Sequence, residues 1–183
     1  MRFLTVASPK IVLVGGGTRS GKSALALSLA RELGARRAFV ATARAYDDEM
    51  RARIDRHRRE RETAFETFEE PLDLPGVLRR IAGPDVVVVD CVTHWLSNLL
   101  VDGHSTEAIL ERLDAALTVL AERRFHTVLV TNEVGMSVHP ESPLGRAFVE
   151  VTGFANQRLS RAADDVHFAV LGTSLLLRGG KAS

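Results

Sequence analysis

The stretch that decides the fold is Ile11–Gly34, which reads IVLVGGGTRSGKSALALSLARELG. It opens with four apolar residues, typical of a buried strand, which run directly into three glycines and the sequence Thr-Arg-Ser-Gly-Lys-Ser. Behind them three leucines recur four residues apart, which predicts a helix over Ser23–Leu33 with Gly34 as its C-cap. A strand, a glycine-rich loop and a helix in this order form the context in which such a loop binds phosphate.

The loop itself matches the pattern G-x-x-x-x-G-K-[S/T] in full. Glycines permit positive φ angles, so the backbone N–H groups turn inward and form, with the N-terminus of the next helix, a nest for phosphates. The lysine of such a loop contacts the β- and γ-phosphates and acts in catalysis, and the serine ligates Mg²⁺. A glycine-rich turn with an unrelated lysine is the alternative. We expect a nucleoside triphosphate to bind at Gly16, Gly17, Thr18, Arg19, Ser20, Gly21, Lys22 and Ser23.

The rest of the chain repeats the alternation of strand and helix. Runs rich in β-branched and apolar residues predict strands buried on both faces at Ile11–Val14, Ala38–Ala41, Val86–Val89, Thr127–Thr131 and Val166–Leu171. Helical periodicity between them predicts further helices at Asp47–Glu62, Thr106–Ala121 and Leu144–Ala162. The sequence therefore predicts an α/β fold of the P-loop NTPase type. Its central sheet is mostly parallel, with helices on both faces and the ligand at the carboxyl ends of the strands.

Composition bounds the class of protein. A chain of 183 residues favours one nucleotide-binding domain over 1–183, and 45% apolar with 26% charged residues is typical of a globular protein. The net charge of +1 gives no electrostatic reason to expect nucleic acid as a partner. The chain has no apolar run near the roughly 20 residues of a membrane span and no apolar core of a signal peptide. Its single cysteine, Cys91, fits a reducing compartment. We expect a cytoplasmic protein.

The valine run Val86–Val89 ends in Asp90. An acidic residue at the end of an apolar strand can hold Mg²⁺ through water. An ordinary strand-ending aspartate is the alternative, but the loop motif in the same chain favours the metal role. We therefore predict Ser23 and Asp90 as the metal-binding residues. Cys91, which follows, is predicted to be a small buried residue and not a nucleophile, since no activating partner is identifiable.

The segment ATARAYDDEMRARIDRHRRERE, which starts at Ala41, carries one histidine among many arginines. Tyr46, Met50, Ile54 and His57 share one face of the predicted helix. One interpretation of His57 is a packed or capping side chain. The other is a nucleophile toward phosphorus, with neighbouring guanidinium groups holding the phosphates that are displaced. The arginines can also be read as a solvated helix face with i, i+4 ion pairs.

Taken together, four stretches resemble the bifunctional adenosylcobinamide kinase / adenosylcobinamide-phosphate guanylyltransferase family of cobalamin biosynthesis. They are GGTRSGKS, ATARAYDDEMRARIDRHRRER, VVVVDCVTHWLSNLL and VLVTNEVGMSVHPESPLGRAFVEVTGFANQRLSRAADDVHFAVLG. The resemblance extends from about Lys10 to about Leu177. The glycine loop alone is shared with very many nucleotide-binding proteins. The predicted helix that carries His57, called the histidine helix below, and the T-N-E-V-G segment are far more specific.

The resemblance implies two reactions on one scaffold. ATP or GTP first phosphorylates the hydroxyl of the aminopropanol arm of adenosylcobinamide, a corrinoid. GTP then loses pyrophosphate to His57, and the histidine-bound GMP passes to the substrate phosphate to give adenosyl-GDP-cobinamide. Some relatives carry two adjacent histidines here, whereas this chain has Arg56 before His57. Family members are trimers, which implies a homo-oligomer.

The same resemblance assigns further residues to the bound nucleotide: Arg44, Ala45, Tyr46, Arg61, Glu62, Thr63, Ala64, Glu69 and Asp90. Thr93 and Asn98 follow the Asp90 strand and are expected to face the site. Asn132 and Glu133 come where another strand meets its loop, the usual place for functional residues in such sheets. A polar turn is the alternative there.

Two rival functions remain open on the sequence. A plain small-molecule kinase needs only the glycine loop, Asp90 and a base. A nucleotide switch or nucleic-acid-dependent ATPase would use the arginines of the histidine helix on phosphates. Aromatic residues are only 5% of the chain, which leaves no stacking platform for single-stranded nucleic acid.

Overall fold

The structure is a computed structural model, and it describes residues 8–45, 48, 51 and 64–179. The strands in these ranges are β1 (Ile11–Gly16), β2 (Arg37–Ala41), β3 (Glu66–Glu69), β4 (Val86–Asp90), β5 (His126–Val130), β6 (Asp165–Val170) and β7 (Thr173–Arg178). The helices are α1 (Lys22–Leu33), α2 (Leu74–Arg80), α3 (Val92–Val101), α4 (Thr106–Ala121) and α5 (Pro143–Ala162).

The strands form one sheet in the order β3-β2-β4-β5-β1-β6-β7. Every neighbouring pair is parallel except β6 and β7, which are antiparallel. The predicted mostly parallel sheet is confirmed, and the five predicted strands are present with bounds shifted by at most two residues. Strand β5 lies between β1, which leads into the glycine loop, and β4, which ends in Asp90.

Alternate residues of β1 explain why helices cover both faces. Ile11 and Leu13 pack into the larger core, which α2, α3, α4 and α5 complete. Val12 and Val14 pack into the smaller core on the other face, against Ala26 and Ala30 of α1. The small alanine side chains allow α1 to lie close to the sheet, directly behind the loop.

The sequence interpretation missed β3, β7, α2 and α3. The sequence of β3 is ETFE, mostly exposed at the sheet edge, so it lacks the apolar run of a central strand. Strand β7 is exposed along its whole length at the other edge. The apolar residues of α3 do recur at helical spacing, at Val92, Trp95, Leu96, Leu99 and Leu100, a signal that the sequence interpretation did not use.

The predicted helix Asp47–Glu62 falls almost wholly outside the described residues. Only Asp48 and Arg51 of it are described; both are helical, and their side chains form an ion pair at 3.5 Å. Within the described ranges, no helix combines the length and the apolar character needed to span a bilayer.

The connection from α1 to β2 is held by the carboxylate of Asp85, which precedes β4. Asp85 Oδ2 accepts the backbone N–H of Ala35 at 3.1 Å and of Arg36 at 2.9 Å. Gly34 caps α1 as expected, but its φ of −175° is extended and not left-handed. Glycine is needed here for another reason, because a Cβ at this position would lie 2.4 Å from Asp85 Cβ. The hydrogen bond from the Arg36 side chain, followed by that from its backbone, lowers the pKa of Asp85 to about 2.

Candidate active site

The glycine loop leaves the carboxyl end of β1 and turns into α1. Its tightest point is Gly16, where a Cβ would lie 2.4 Å from the carbonyl oxygen of Ala169 and 2.7 Å from Ser20 Oγ. Gly21 has a φ of 94° and caps α1 without a side-chain hydrogen bond. The first N–H groups of α1 therefore have no side-chain cap, which is the arrangement that a helix offers to an anion.

Two polar side chains lie inside the loop. Lys22 is 7% exposed, and its Nζ donates a hydrogen bond to the carbonyl oxygen of Gly17 at 3.0 Å. Ser20 Oγ is buried, and no group in the described part of the chain bonds to it. A buried hydroxyl without a partner costs free energy, and a phosphate oxygen in the loop would provide that partner. The loop thus has the geometry and the charge of a phosphate site.

Neighbouring segments fix the loop on two sides. The backbone N–H of Glu133, beyond the end of β5, donates to the carbonyl oxygen of Gly16 at 3.1 Å. The backbone N–H of Gly172, in the turn between β6 and β7, donates to the carbonyl oxygen of Ser20 at 3.2 Å. The loop is therefore held in place independently of any ligand.

Asp90 ends β4 half-buried, with β5 between it and β1. Two strand spacings put it roughly 10 Å from the start of the loop across the sheet. A hydroxyl such as that of Ser23, one carboxylate and phosphate oxygens are a ligand set that Mg²⁺ accepts, with waters completing its shell. The described residues contain no cluster of three histidine, cysteine or acidic side chains that would hold a metal on its own. The residues present therefore fit an ion held jointly with a triphosphate.

Asn98 was expected to face the site, and the structure corrects this. It is 1% exposed, and its Nδ2 donates to the backbone oxygens of Thr42 at 2.8 Å and Pro71 at 3.0 Å. Thr42 Oγ1 in turn donates to the oxygen of Cys91 and accepts from its N–H. Asn98 therefore joins the segments that follow β2 and β3, while Thr42 joins the ends of β2 and β4. Cys91 is buried as predicted, and its Sγ accepts the N–H of His94 at 3.4 Å.

Thr93 is also buried and plays a similar part beside β5. Its Oγ1 accepts the backbone N–H of Asn132 at 2.7 Å and lies 3.0 Å from Thr131 Oγ1. Asn156, on α5, accepts a hydrogen bond from Thr131 Oγ1 at 2.7 Å and donates to the oxygen of Asn132 at 3.0 Å. The sequence interpretation missed Asn156. Its signal was an amide in the middle of a helix, where asparagine is otherwise disfavoured.

This network brings one face of α5 beside Glu133. Glu133 Oε1 accepts the N–H of Gly135 at 2.7 Å, which orients the carboxylate. The carboxylate borders an open depression of about 500 Å³, lined by Glu133, Gly153, Asn156, Gln157, Ser160 and Arg161. At the carboxyl ends of the strands, a phosphate loop that follows β1 therefore lies next to a polar depression.

Comparison with known proteins identifies the family. The model of the family described as cobinamide kinase / cobinamide phosphate guanyltransferase matches residues 12–177. The chain belongs to this family. Bifunctional adenosylcobalamin biosynthesis protein CobP of Pseudomonas aeruginosa is 40% identical over 168 residues, covering 91% of this chain and 96% of the relative. Bifunctional adenosylcobalamin biosynthesis protein CobU of Escherichia coli K12 is 34% identical over 181 residues, covering 92% and 99%.

Two solved structures share the fold at low identity. A KaiC-like protein from the archaeon Pyrococcus horikoshii has a TM-score of 0.56 and 19% identity, covering 95% of this chain and 81% of its own. The RadB recombinase has a TM-score of 0.58 and 17% identity, covering 96% and 84%. These matches confirm the α/β fold of the P-loop NTPase type, and the family match confirms the resemblance noted in the sequence.

Four of the other residues that the resemblance assigned to the nucleotide are described: Arg44, Ala45, Ala64 and Glu69. Glu69 is exposed at the end of β3, four strand spacings or roughly 19 Å from β1 across the sheet. Arg44, just beyond β2, pairs with Asp102 at 2.8 Å, and this hydrogen bond lowers the pKa of Asp102. Ala45 and Ala64 are exposed. The other predicted residues lie outside the described residues: Tyr46, His57, Arg61, Glu62 and Thr63.

Proposed function

We propose that this protein phosphorylates adenosylcobinamide and then transfers GMP from GTP to the product, giving adenosyl-GDP-cobinamide in cobalamin biosynthesis. The observation that carries the proposal is the family match over residues 12–177, on a chain whose phosphate loop is intact. The substrates are then a corrinoid and the nucleotides ATP and GTP.

In the kinase step, the loop N–H groups and Lys22 stabilise the charge on the phosphoryl group being transferred. Donors fixed before the reaction are effective because no reorganisation is needed in the transition state. Lys22 is already held inside the loop by Gly17. Ser23 and Asp90 would hold Mg²⁺, which supplies charge neutralisation of the triphosphate when bound.

In the guanylyl step, His57 acts as the nucleophile. Its ring nitrogen forms a bond to the α-phosphorus of GTP, and pyrophosphate leaves with the electrons of the broken bond. An oxygen of the substrate phosphate then attacks the same phosphorus and breaks the phosphorus–nitrogen bond. The arginines that neighbour His57 in the sequence would stabilise the charge on the departing pyrophosphate. Contacts to GTP are assigned to Arg44, Ala45, Tyr46, Arg61, Glu62, Thr63, Ala64 and Glu69.

The protein acts in this proposal as a cytoplasmic homo-oligomer, a trimer by family resemblance. Exposed leucines of β7 support self-association, since Leu175, Leu176 and Leu177 are 55%, 60% and 63% exposed on an edge strand. Edge strands with exposed apolar side chains are prone to pair with another chain.

The proposal is tested by supplying adenosylcobinamide with ATP and GTP separately, and by following GTP labelled at the α-phosphate. We expect phosphorylated corrinoid with at least one nucleotide, an acid-labile label on the protein, and adenosyl-GDP-cobinamide when GTP is present. Phosphorylation without a labelled protein would reduce the function to a kinase. No corrinoid product with either nucleotide would refute the proposal.

A further inference from the structure

The kinase step needs a group that takes the proton of the acceptor hydroxyl, and the residues proposed for the nucleotide leave that role unfilled. Among the described residues, few acidic side chains lie just beyond the carboxyl ends of the parallel strands, where the phosphate loop is. Asp90 is assigned to the metal, and Glu69 lies at the far edge of the sheet. Glu70 accepts the N–H groups of Leu72 and Asp73 and so stabilises a turn.

Glu133 is placed differently from these. Its backbone N–H bonds the carbonyl oxygen of Gly16 at 3.1 Å, so it lies against the first residue of the phosphate loop. Its carboxylate is held by Gly135 through Oε1 alone, which leaves Oε2 without a bond to any other described residue. An oriented carboxylate beside the phosphate loop is the arrangement that a general base requires.

The depression next to Glu133 has the chemistry of an acceptor site. Its walls are the amides of Asn156 and Gln157, the hydroxyl of Ser160 and the guanidinium of Arg161. A corrinoid carries amide side chains around its ring and an amide-linked aminopropanol arm, which exchange hydrogen bonds with such groups. A volume of about 500 Å³ fits one edge of a large ligand with its arm and not the whole ring.

We propose that this depression receives the aminopropanol arm of the corrinoid and that the Glu133 carboxylate is the general base of the kinase step. The inference rests on the function proposed above. The hydroxyl oxygen forms a bond to the γ-phosphorus, and the bond from that phosphorus to the β,γ-bridging oxygen breaks. The nucleoside diphosphate leaves with the electron pair, and the hydroxyl proton passes to Oε2 of Glu133.

The first test is Glu133→Gln, with adenosylcobinamide and the preferred nucleotide at saturation. Glutamine keeps the shape and an oxygen that accepts from Gly135, but it cannot take the proton. We expect kcat for phosphorylation to fall by about 10²-fold or more, the range for loss of a general base. Nucleotide KM should stay unchanged, and the acidic limb of the kcat–pH profile should disappear. Glu150→Gln, an exposed glutamate of α5 outside the depression, is the matched control.

A second readout separates a base from a structural residue. GMP transfer to chemically prepared adenosylcobinamide phosphate needs no such base, because the attacking phosphate oxygen is already ionised. Glu133→Gln should therefore retain that reaction at the wild-type rate, and Glu133→Asp should recover part of the kinase rate. Equal loss of both reactions would overturn the assignment of a base.

The depression is tested by filling it. A Cβ on Gly153 would have no atom within 4 Å, so a larger side chain there enters open space. We expect Gly153→Phe to raise KM for adenosylcobinamide by about tenfold or more, a loss of about 1.4 kcal/mol of binding, with nucleotide KM unchanged. Glu150→Phe places the same ring elsewhere on α5 and should have no effect.

Failure of the inference and failure of the proposed function give different results. If the wild-type protein does not phosphorylate adenosylcobinamide, the function is wrong. If the wild-type protein does so and neither Glu133→Gln nor Gly153→Phe changes its kinetics, the function stands and the acceptor site lies elsewhere.

Discussion

Lys22 places a full positive charge inside the phosphate loop, bonded to Gly17 and largely shielded from water. Lys22→Ala removes that charge from the site of phosphoryl transfer, so we expect kcat/KM of the kinase step to fall by about 10²-fold or more, or about 3 kcal/mol. Steady-state kinetics on the folded variant measure this. Arg31→Ala, an exposed cation in the last turn of α1, is the control. A Lys22→Ala protein with near wild-type activities would remove the lysine from the site.

Asp90 follows four buried valines, which fix its backbone, while the residue itself is half-buried at the carboxyl end of β4. We expect Asp90→Asn to raise the Mg²⁺ concentration needed for half-maximal kinase activity, because an amide is a weaker ligand than a carboxylate for a hard cation. A Mg²⁺ titration at fixed nucleotide measures the shift. An unchanged titration curve in a folded variant would exclude Asp90 from metal binding.

His57 is the third residue whose role can be isolated. We expect His57→Ala to abolish both the covalent label from α-labelled GTP and GMP transfer, while phosphorylation of adenosylcobinamide continues, because the kinase step needs no phosphorus–nitrogen bond. Autoradiography after gel separation and a phosphorylation assay give the two readouts. His104→Ala, a half-buried histidine after α3, serves as the control. If label persists, another residue is the nucleophile; loss of both activities would instead put His57 in a shared nucleotide pocket.

At the scale of elements, the turn between α1 and β2 depends on one close approach. Gly34→Ala would place its Cβ 2.4 Å from the Asp85 Cβ, and the side-chain carboxylate that orders Ala35 and Arg36 would have to move. We expect a loss of about 1–3 kcal/mol in the free energy of unfolding, the usual cost of steric strain in a packed region. Urea unfolding measures it. Gly83→Ala is the comparison variant. Its Cβ would meet no neighbour, but its φ of 96° is strained for alanine, so it reports the cost of backbone strain without steric overlap.

Features that depend on neighbouring residues in the sequence were predictable, and features that depend on contacts between distant parts of the chain were not. Strand β1, the loop and α1 follow from adjacent residues, so their order and bounds agree closely with the prediction. The hydrogen bond between the backbones of Glu133 and Gly16 joins residues more than a hundred positions apart, and no spacing in the sequence predicts it. Thr93 and Asn98 were expected to face the site, but both are buried and bind backbone groups. Their position after a strand does not reveal that a polar side chain turns inward. The roles of His57 and its neighbours stay predictions.

At the scale of the whole molecule, the two sheet edges differ. Strand β3 is short and carries glutamates, which disfavours pairing with another sheet, whereas β7 has three consecutive exposed leucines. Arg178 holds the end of β7 by donating to the oxygens of Ser160 and Ala163. The exposed leucines of β7 therefore lie on a strand whose end is fixed to the body of the protein.

We expect Leu177→Lys to lower the mass of the assembly measured by light scattering after gel filtration, because a charge on this strand opposes pairing with a neighbour. Glu66→Lys on the opposite edge strand should leave the mass unchanged. A wild-type protein that is monomeric would contradict the proposed oligomer. A Leu177→Lys protein that keeps the wild-type mass would show that the interface between subunits does not depend on β7.

The hydrogen bond from the Glu133 backbone to Gly16 joins two parts of the molecule that are built differently, the phosphate loop and the depression on α5. The phosphate loop is built mainly from backbone groups, and at Gly16 it leaves no room for a side chain. The proposed acceptor site is lined mainly by side chains of α5, of which Asn156 also bonds the backbone oxygen of Asn132, whereas Gln157 and Arg161 form no such bond within the described part of the chain. With the acceptor site proposed above, exchanging side chains of α5 should change the alcohol that is phosphorylated, while the site of the triphosphate stays unaltered.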